Sequence, residues 1–148
     1  MEKNLTVNTY ILDTSVVVKW FSSHSEDDRV ASLRLRQDIL NGECAVVAPT
    51  LLFYELANAL RYNPRFNAKD VNDAVNSVME MGFEVYGVEV DTMAQAVEMA
   101  FRFHVAVYDT YFLAVSQTKK KPLLTADYRF ADRMKGFKNI IKLSDFVP

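Results

Sequence analysis

The sequence predicts an α/β protein with three layers, α/β/α, built around a mainly parallel central sheet. Short runs of β-branched and aromatic residues alternate with longer segments of helical periodicity along the whole chain. This alternation is typical of a parallel sheet that is covered by helices on both faces. A second observation is that acidic residues directly follow predicted strands. Because parallel sheets bind ligands beyond the carboxyl ends of their strands, these acids predict a site at that edge.

The first third of the chain predicts one strand followed by two helices. Residues 9–12 form a short apolar run rich in β-favouring side chains, which indicates a buried strand. The hydroxyls of Thr14 and Ser15 predict a helix cap, followed by a short helix over residues 16–21. A second helix is predicted over residues 26–40, since apolar residues recur four apart until an Asn-Gly pair ends the pattern.

The middle of the chain predicts two further strands with two helices between them. The strands cover residues 45–48, which a proline ends, and residues 83–86. Thr50 is predicted to cap a helix that continues to residue 62, where an Asn-Pro pair closes it. Residues 68–81 have the clearest helical periodicity in the chain, with apolar side chains on one face and a glycine after the last turn.

The last third continues the alternation of helices and strands. Its predicted helices cover residues 93–104, 109–118 and 128–135. Its predicted strands cover residues 122–125 and 139–143, before a final turn at residues 144–146.

Length and composition predict one domain over residues 1–148. Seventeen basic and nineteen acidic residues give a net charge of −2, so a general nucleic-acid coating protein is not expected. Cys44 is the single cysteine, which excludes an intrachain disulfide and a cysteine-rich metal motif. We expect neither a signal peptide nor a membrane span, and a cytoplasmic location.

Four acidic residues lie in apolar surroundings, where solvent-facing acids are not expected: Asp13, Glu55, Asp109 and Asp127. An ionised carboxylate against apolar surface is unfavourable without a partner. A common explanation is that the four side chains meet around a divalent cation. Carboxylate oxygens are the ligands that Mg²⁺ or Mn²⁺ prefers, so the sequence predicts a metal site built by these four residues.

Each of the acids also has a structural explanation. Asp13 and Asp127 are suited to cap the helices that follow them. Asp109 lies in a first helical turn, where the helix dipole favours a negative charge. Glu55 is explained as an acid beside an apolar helix face that pairs with a nearby base. Asp132 follows Asp127 by little more than one turn and is left open as an outer acid of the site.

Four segments together resemble the PIN domain, and more narrowly the VapC-type toxins of prokaryotic toxin–antitoxin pairs. They occur in the family order at family-like separations, and they span the whole chain. The segments are ILDTS at residues 11–15, LFYELANAL at 52–60, YDTYFLA at 108–114 and LTADYRF at 124–130.

The resemblance implies a metal-dependent endoribonuclease that uses Mg²⁺ or Mn²⁺ and hydrolyses RNA phosphodiester bonds. It also implies a homodimer and a cognate antitoxin protein that holds the enzyme inactive. The positions that match the family's acidic site are Asp13, Glu55, Asp109 and Asp127, with Thr14, Ser15 and Thr125 at its supporting hydroxyl positions.

RNA binding requires positively charged side chains, and the sequence offers several candidates outside the acidic site. Trp20, Phe21 and Tyr54 are candidates for stacking a base, with the core or a dimer surface as the alternative. The lysine run at residues 119–121 has a structural explanation as well, because cations stabilise a helix C-terminus. The candidate cations are Lys19, Arg61, Arg65, Arg102, Lys119, Lys120, Lys121, Arg129 and Arg133.

Other classes of function remain open from the residues. One is a catalytically silent PIN-like module that binds RNA or protein, against which the four intact acids argue. Another is a phosphoaspartate protein, but Ser15 stands where the second acid of an Asp-x-Asp motif belongs. His24 and His104 lie outside the acidic segments, so a metal-free mechanism with two histidines has little support.

Overall fold

The protein forms a five-stranded sheet in which every strand pairing is parallel. The structure, a computed structural model, describes residues 7–22 and 27–146. The strand order is β3-β2-β1-β4-β5. The strands are β1 (Asn8–Leu12), β2 (Cys44–Pro49), β3 (Glu84–Tyr86), β4 (Leu123–Thr125) and β5 (Ile140–Lys142).

Helices flank the sheet, and the predicted three-layer α/β/α class is confirmed. The helix at the centre of the molecule packs on three strands and is buried over residues 110–116. The helices are α1 (Thr14–Val18), α2 (Arg29–Leu40), α3 (Leu51–Arg61), α4 (Ala68–Met79), α5 (Val90–Phe103), α6 (Val107–Lys119) and α7 (Tyr128–Arg133).

The order of the strands reverses direction at β1. From β1 the chain adds β2 and then β3 on one side, and later β4 and β5 on the other. Loops that leave neighbouring strands in opposite directions open a crevice at the carboxyl edge of such a sheet. The residues that follow β1 and β4 therefore face a common crevice, and α3 begins directly after β2 at the same edge.

Local sequence explains how α4 begins. The Asn67 side chain accepts from the Asp70 backbone N–H at 2.9 Å, and the Asp70 carboxylate accepts from the Asn67 N–H at 3.0 Å. This reciprocal capping box satisfies two backbone donors at the start of α4. The apolar face of α4 then packs against α3, with Ala74 and Val78 buried.

The prediction that Thr14 and Ser15 cap the first helix is wrong. Both residues lie inside α1, and Asp13 occupies the cap position without making a side-chain cap bond. The two hydroxyls instead bond to acidic side chains, including one that is 41 residues away in the sequence. Rules for helix capping consider only local bonds, so they could not predict this arrangement.

Other predicted helix boundaries differ from the observed ones by a few residues. The second helix begins at Arg29, while the predicted start at residue 26 lies outside the described residues. α5 begins at Val90, three residues before the predicted start, because its first turn contains the polar residues Asp91 and Thr92 and so carries no apolar periodicity signal. None of the helices in the described ranges has the length and apolar character needed to cross a membrane.

Candidate active site

The four predicted acids lie at the carboxyl edge of the sheet. Asp13 follows the last residue of β1, and Asp127 follows β4 by two residues. Glu55 is on the second turn of α3, and Asp109 is on the first turn of α6. Asp13 interacts electrostatically with the other three carboxylates, and Asp109 also interacts with Glu55 and Asp127. The structure thus brings together acids from four separate segments of the chain.

The Asp13 carboxylate is held by two hydroxyl groups. Ser15 Oγ and Thr125 Oγ1 both donate to Asp13 Oδ2, the latter at 3.1 Å. Each hydroxyl in turn accepts from a backbone N–H of the loop after β4, namely that of Ala126 at 3.0 Å and that of Asp127 at 3.0 Å. This relay joins the ends of β1 and β4 and fixes the orientation of the carboxylate.

A third hydroxyl orients Glu55. Thr14 Oγ1 donates to Glu55 Oε1 at 2.8 Å, which connects α1 to α3 across the site. Thr14 is buried, whereas Glu55 is only partly buried and keeps access to the crevice. All three predicted supporting residues therefore contact an acid of the cluster directly, in each case through a side-chain hydroxyl.

Desolvation and mutual repulsion raise the proton affinity of the cluster. Burial, followed by the charges of Asp13 and Asp109, raises the pKa of Glu55 to about 7. Burial, followed by the charges of Asp13 and Asp127, raises the pKa of Asp109 to about 6. Burial also raises the pKa of Asp13, against the lowering effect of the two hydroxyl hydrogen bonds. A nearby cation would remove this penalty.

The donor set fits a hard divalent cation in its chemistry. It consists of carboxylates, whose mutual repulsion a positive ion would relieve. Over residues 7–22 and 27–146, however, no three Asp, Glu, His or Cys side chains are already gathered as a ready-made ligand group. Since uncompensated carboxylates repel one another, an ion would have to draw these side chains closer together than they lie here.

A cleft of about 830 Å³ opens beside the acids. Asp109 on α6 and Asp127 at the start of α7 line this cleft. Arg129 and Arg133 line it from α7, together with His104 at the end of α5. The cleft therefore combines carboxylates that suit a cation with guanidinium groups that suit an anion.

Comparison with known proteins identifies the fold family. The family model described as the PIN domain matches residues 10–135 of the chain. The chain belongs to the PIN domain family. The predicted family is thereby confirmed. No curated protein matches the chain.

Solved structures share this PIN fold at low sequence identity. PAE2754 from Pyrobaculum aerophilum superposes with a TM-score of 0.68 at 18% identity, covering 93% of this chain and 85% of that one. A toxin–antitoxin complex from Klebsiella pneumoniae gives 0.66 at 14% identity, with 93% and 99% covered. VapC20 from Mycobacterium tuberculosis, described as a sarcin–ricin loop cleaving toxin, gives 0.67 at 19% identity, with 88% and 97% covered.

Only two of the predicted RNA-binding cations line the cleft of this PIN domain, Arg129 and Arg133. Lys19 is buried, and its Nζ donates to the Asp27 carbonyl at 2.7 Å. Lys119 forms an ion pair with Glu84 at 3.1 Å. The remaining candidates lie on other surfaces: Arg61, Arg65, Arg102, Lys120 and Lys121.

The aromatic candidates separate into core and surface. Trp20 is buried, and its Nε1 donates to the Ser32 carbonyl at 2.9 Å, so the core alternative applies. Phe21 packs against the core as well. Tyr54 is 74% exposed and lines two apolar grooves outside the acidic cleft.

Three further positions bear on the site. Asp132 lines the cleft but pairs with Lys142 at 2.6 Å and is not among the interacting acids. His104 lines the cleft although no motif marked it; its position at the left-handed end of α5, with φ of 55°, follows from packing rather than from a sequence signal. His24 lies outside the described residues.

Proposed function

We propose that this PIN domain is a metal-dependent endoribonuclease and the toxin of a toxin–antitoxin pair. The observation that carries the proposal is the convergence of four carboxylates from four segments of the chain, Asp13, Glu55, Asp109 and Asp127. Two of them, Asp109 and Asp127, also line the cleft. Membership of the PIN family and the fold shared with VapC20 support it. We also propose that residues 1–148 form a single PIN domain.

The proposed ligands of the cation are the four carboxylates. Asp13 and Asp109 are the core ligands, because Asp13 interacts with all the other acids and Asp109 with each of them too. Glu55 and Asp127 complete the set or order water. When bound, Mg²⁺ or Mn²⁺ supplies charge neutralisation at the phosphodiester and lowers the pKa of a water molecule for attack.

Three side-chain hydroxyls orient the proposed ligands. Ser15 and Thr125 hold the Asp13 carboxylate in one orientation, and Thr14 does the same for Glu55. Hydrogen bonds of this kind orient metal ligands and limit the rearrangement that ion binding requires. In the metal-free protein the pKa of Glu55 is raised to about 7, so an ion that binds there near neutral pH displaces a proton from this carboxyl.

The test is cleavage of a single-stranded RNA by the purified chain. We expect cleavage with Mn²⁺ or Mg²⁺, no cleavage with EDTA, and a loss of at least a hundredfold in Asp13→Asn. Asp73→Asn, which removes an exposed charge on α4, is the matched control and should keep full activity. A folded Asp13→Asn protein that retains metal-dependent cleavage would refute the assignment.

The alternative is a catalytically silent PIN-like module that binds RNA or protein. It predicts binding of RNA without cleavage under every metal condition, and no dependence on Asp13. The partly buried hydroxyl network around Asp13 favours the enzyme, since a binding surface has no need of an oriented carboxylate. The same RNA incubated with EDTA and with Mn²⁺ separates the two functions.

We further propose that a cognate antitoxin covers an apolar groove between α3 and α4. This groove has a volume of about 420 Å³ and is lined by Phe53, Tyr54, Met79, Phe83 and Val85, among others. Tyr54 and Met79 are 74% and 56% exposed. Structures of toxin–antitoxin complexes with this fold support such a partner. Met79→Lys should weaken capture of the protein encoded beside this gene, and unchanged capture would contradict the groove assignment.

A further inference from the structure

The cleft beside the acids has a basic side that the metal site does not use. Arg129 and Arg133 are four residues apart on α7, so their side chains project from the same face of that helix. Both line the cleft together with Asp109 and Asp127. Guanidinium groups near the edge of an acidic cluster would ordinarily pair with its carboxylates.

Neither arginine is paired with a carboxylate in the described part of the chain. The ion pairs found there join Lys69 to Asp73, Lys119 to Glu84 and Lys142 to Asp132.

Asp132 is the acid next to Arg133 in the sequence, and the Lys142 ammonium, 2.6 Å away, already engages it. The charges of both arginines therefore remain available to an anion from outside.

Arg133 is held in position by an uncharged acceptor. Its Nη1 donates to the His104 carbonyl at 3.0 Å, which connects α7 to the end of α5 across the rim of the cleft. His104 presents this carbonyl because it ends α5 in the left-handed conformation. A guanidinium has five donors, so one bond to a carbonyl fixes the group and leaves donors for an anion.

The anion must be one that reaches the carboxylate edge together with a cation. In the proposed function this is the RNA backbone, whose phosphates are strong acceptors for arginine. A volume of about 830 Å³ is that of a small-molecule site. We take a single strand as the occupant, because one or two nucleotides match a cleft of this volume.

We propose that Arg129 and Arg133 bind successive phosphates of single-stranded RNA next to the scissile bond and thereby set the register of the strand. This inference rests on the proposed endoribonuclease function. Arg133 is the pre-positioned contact, and Arg129 follows Asp127 by two residues in the first turn of α7. The strand then follows the axis of α7 away from the metal site.

The test is the affinity for a fluorescently labelled single-stranded oligoribonucleotide, measured by anisotropy over a series of salt concentrations. Ca²⁺ replaces Mn²⁺, and a gel verifies that the RNA remains intact. We expect Arg129→Gln and Arg133→Gln each to weaken binding about tenfold. Each should also reduce the slope of log K against log salt by about 0.7, the value for one phosphate contact on a single strand.

Two control variants distinguish a direct contact with phosphate from a general loss of positive charge. Arg65→Gln removes the same charge from an exposed loop outside the cleft and should bind like the wild type. Arg133→Lys keeps the charge but loses the planar fork, so its salt slope should equal that of the wild type while its affinity falls. A purely structural role of Arg133 would lower the melting temperature without changing the salt slope.

The outcomes distinguish this inference from the proposed function. Wild-type affinity and salt slope in both Arg129→Gln and Arg133→Gln would overturn the inference while leaving cleavage intact. Wild-type protein that binds RNA through these arginines but does not cleave it with Mn²⁺ would overturn only the enzyme. Arg129 makes no hydrogen bond or ion pair with the described residues, so Arg129→Gln supplies a folded variant in either case.

Discussion

At the scale of single residues, the decisive feature is how Asp13 is held. Two hydroxyls donate to one of its oxygens, and each accepts from a backbone N–H of the loop that leads to Asp127. Outer hydrogen bonds of this kind orient metal ligands and adjust their affinity. The positions of Ser15 and Thr125 therefore affect the metal site without requiring either residue to touch the ion.

Ser15→Ala should weaken Mn²⁺ binding by about 10- to 100-fold, because it removes one of the two donors to Asp13 Oδ2. Isothermal titration calorimetry measures the dissociation constant directly. Ser77→Ala is the matched control, since its hydroxyl donates only to the Ala74 carbonyl within α4. Equal Mn²⁺ affinity in the Ser15 variant and the wild type would show that the relay has no role in metal binding.

The metal-free protein should become less stable as the pH rises from 3.8, the ordinary pKa of an aspartate, to about 7. Glu55 and Asp109 have raised pKa values when folded, so the folded state binds protons more tightly than the unfolded chain. Their stabilising contribution is complete below the unfolded values and is lost as the pH passes about 6 and about 7. Urea unfolding in EDTA across this range measures the trend.

Metal binding should show the opposite dependence on pH. Mn²⁺ competes with the protons on Glu55 and Asp109, so its affinity should increase between pH 5.5 and 7.5. In Glu55→Gln the upper part of this increase, near pH 7, should disappear. An Mn²⁺ affinity independent of pH over that interval would mean that these carboxyls do not hold the ion.

At the scale of elements, Asp127 has two roles that different substitutions separate. Its Oδ1 accepts from the Phe130 backbone N–H at 3.1 Å and so caps α7, while its charge belongs to the acidic cluster. The structural explanation of this acid and its proposed role in the site therefore apply together. An amide side chain preserves the cap and removes the charge.

Asp127→Asn should lower RNA cleavage strongly while leaving the free energy of unfolding close to that of the wild type. Asp127→Ala should lower both, with a loss of about 1 kcal/mol from the missing cap. Denaturant titration and a cleavage assay on the same preparations measure the two effects. Full cleavage activity in Asp127→Asn would remove this residue from the site and leave it only as a cap.

Sequence patterns predicted the elements well where apolar periodicity is strong. α4 and the five strands lie where expected within two residues, because α4 repeats apolar side chains at helical spacing and most of the strands are short apolar runs. The start of α1 was predicted wrongly, since the hydroxyls of Thr14 and Ser15 bond to acids from other segments. Local sequence patterns cannot predict hydrogen bonds between residues that are far apart in the chain.

At the scale of the whole molecule, the site is a consequence of topology. Parallel strands end at one edge, and β1 lies between β2 and β4, so acids that follow these strands must approach one another. This much was predictable from the alternation of elements. The cleft and its His104–Arg133 contact were not, because they depend on how the end of α5 packs beside α7.

The homodimer remains a prediction, and an apolar stripe on α5 is our proposed interface. Val90, Val97 and Phe101 project from one face of that helix and are 84%, 38% and 78% exposed. Phe101→Glu should therefore convert a dimer into a monomer, which light scattering after size exclusion measures. Arg102→Glu, on the neighbouring face, is the control; a dimer that persists in Phe101→Glu would place the interface elsewhere.

The four converging carboxylates are proposed to bind one or two divalent cations. The most direct measurement is anomalous X-ray scattering from a crystal of the protein grown with Mn²⁺. We predict an anomalous peak in contact with carboxylate oxygens of Asp13 and Asp109. Well-ordered Asp13, Glu55, Asp109 and Asp127 side chains with no anomalous peak between them at saturating Mn²⁺ would contradict the account.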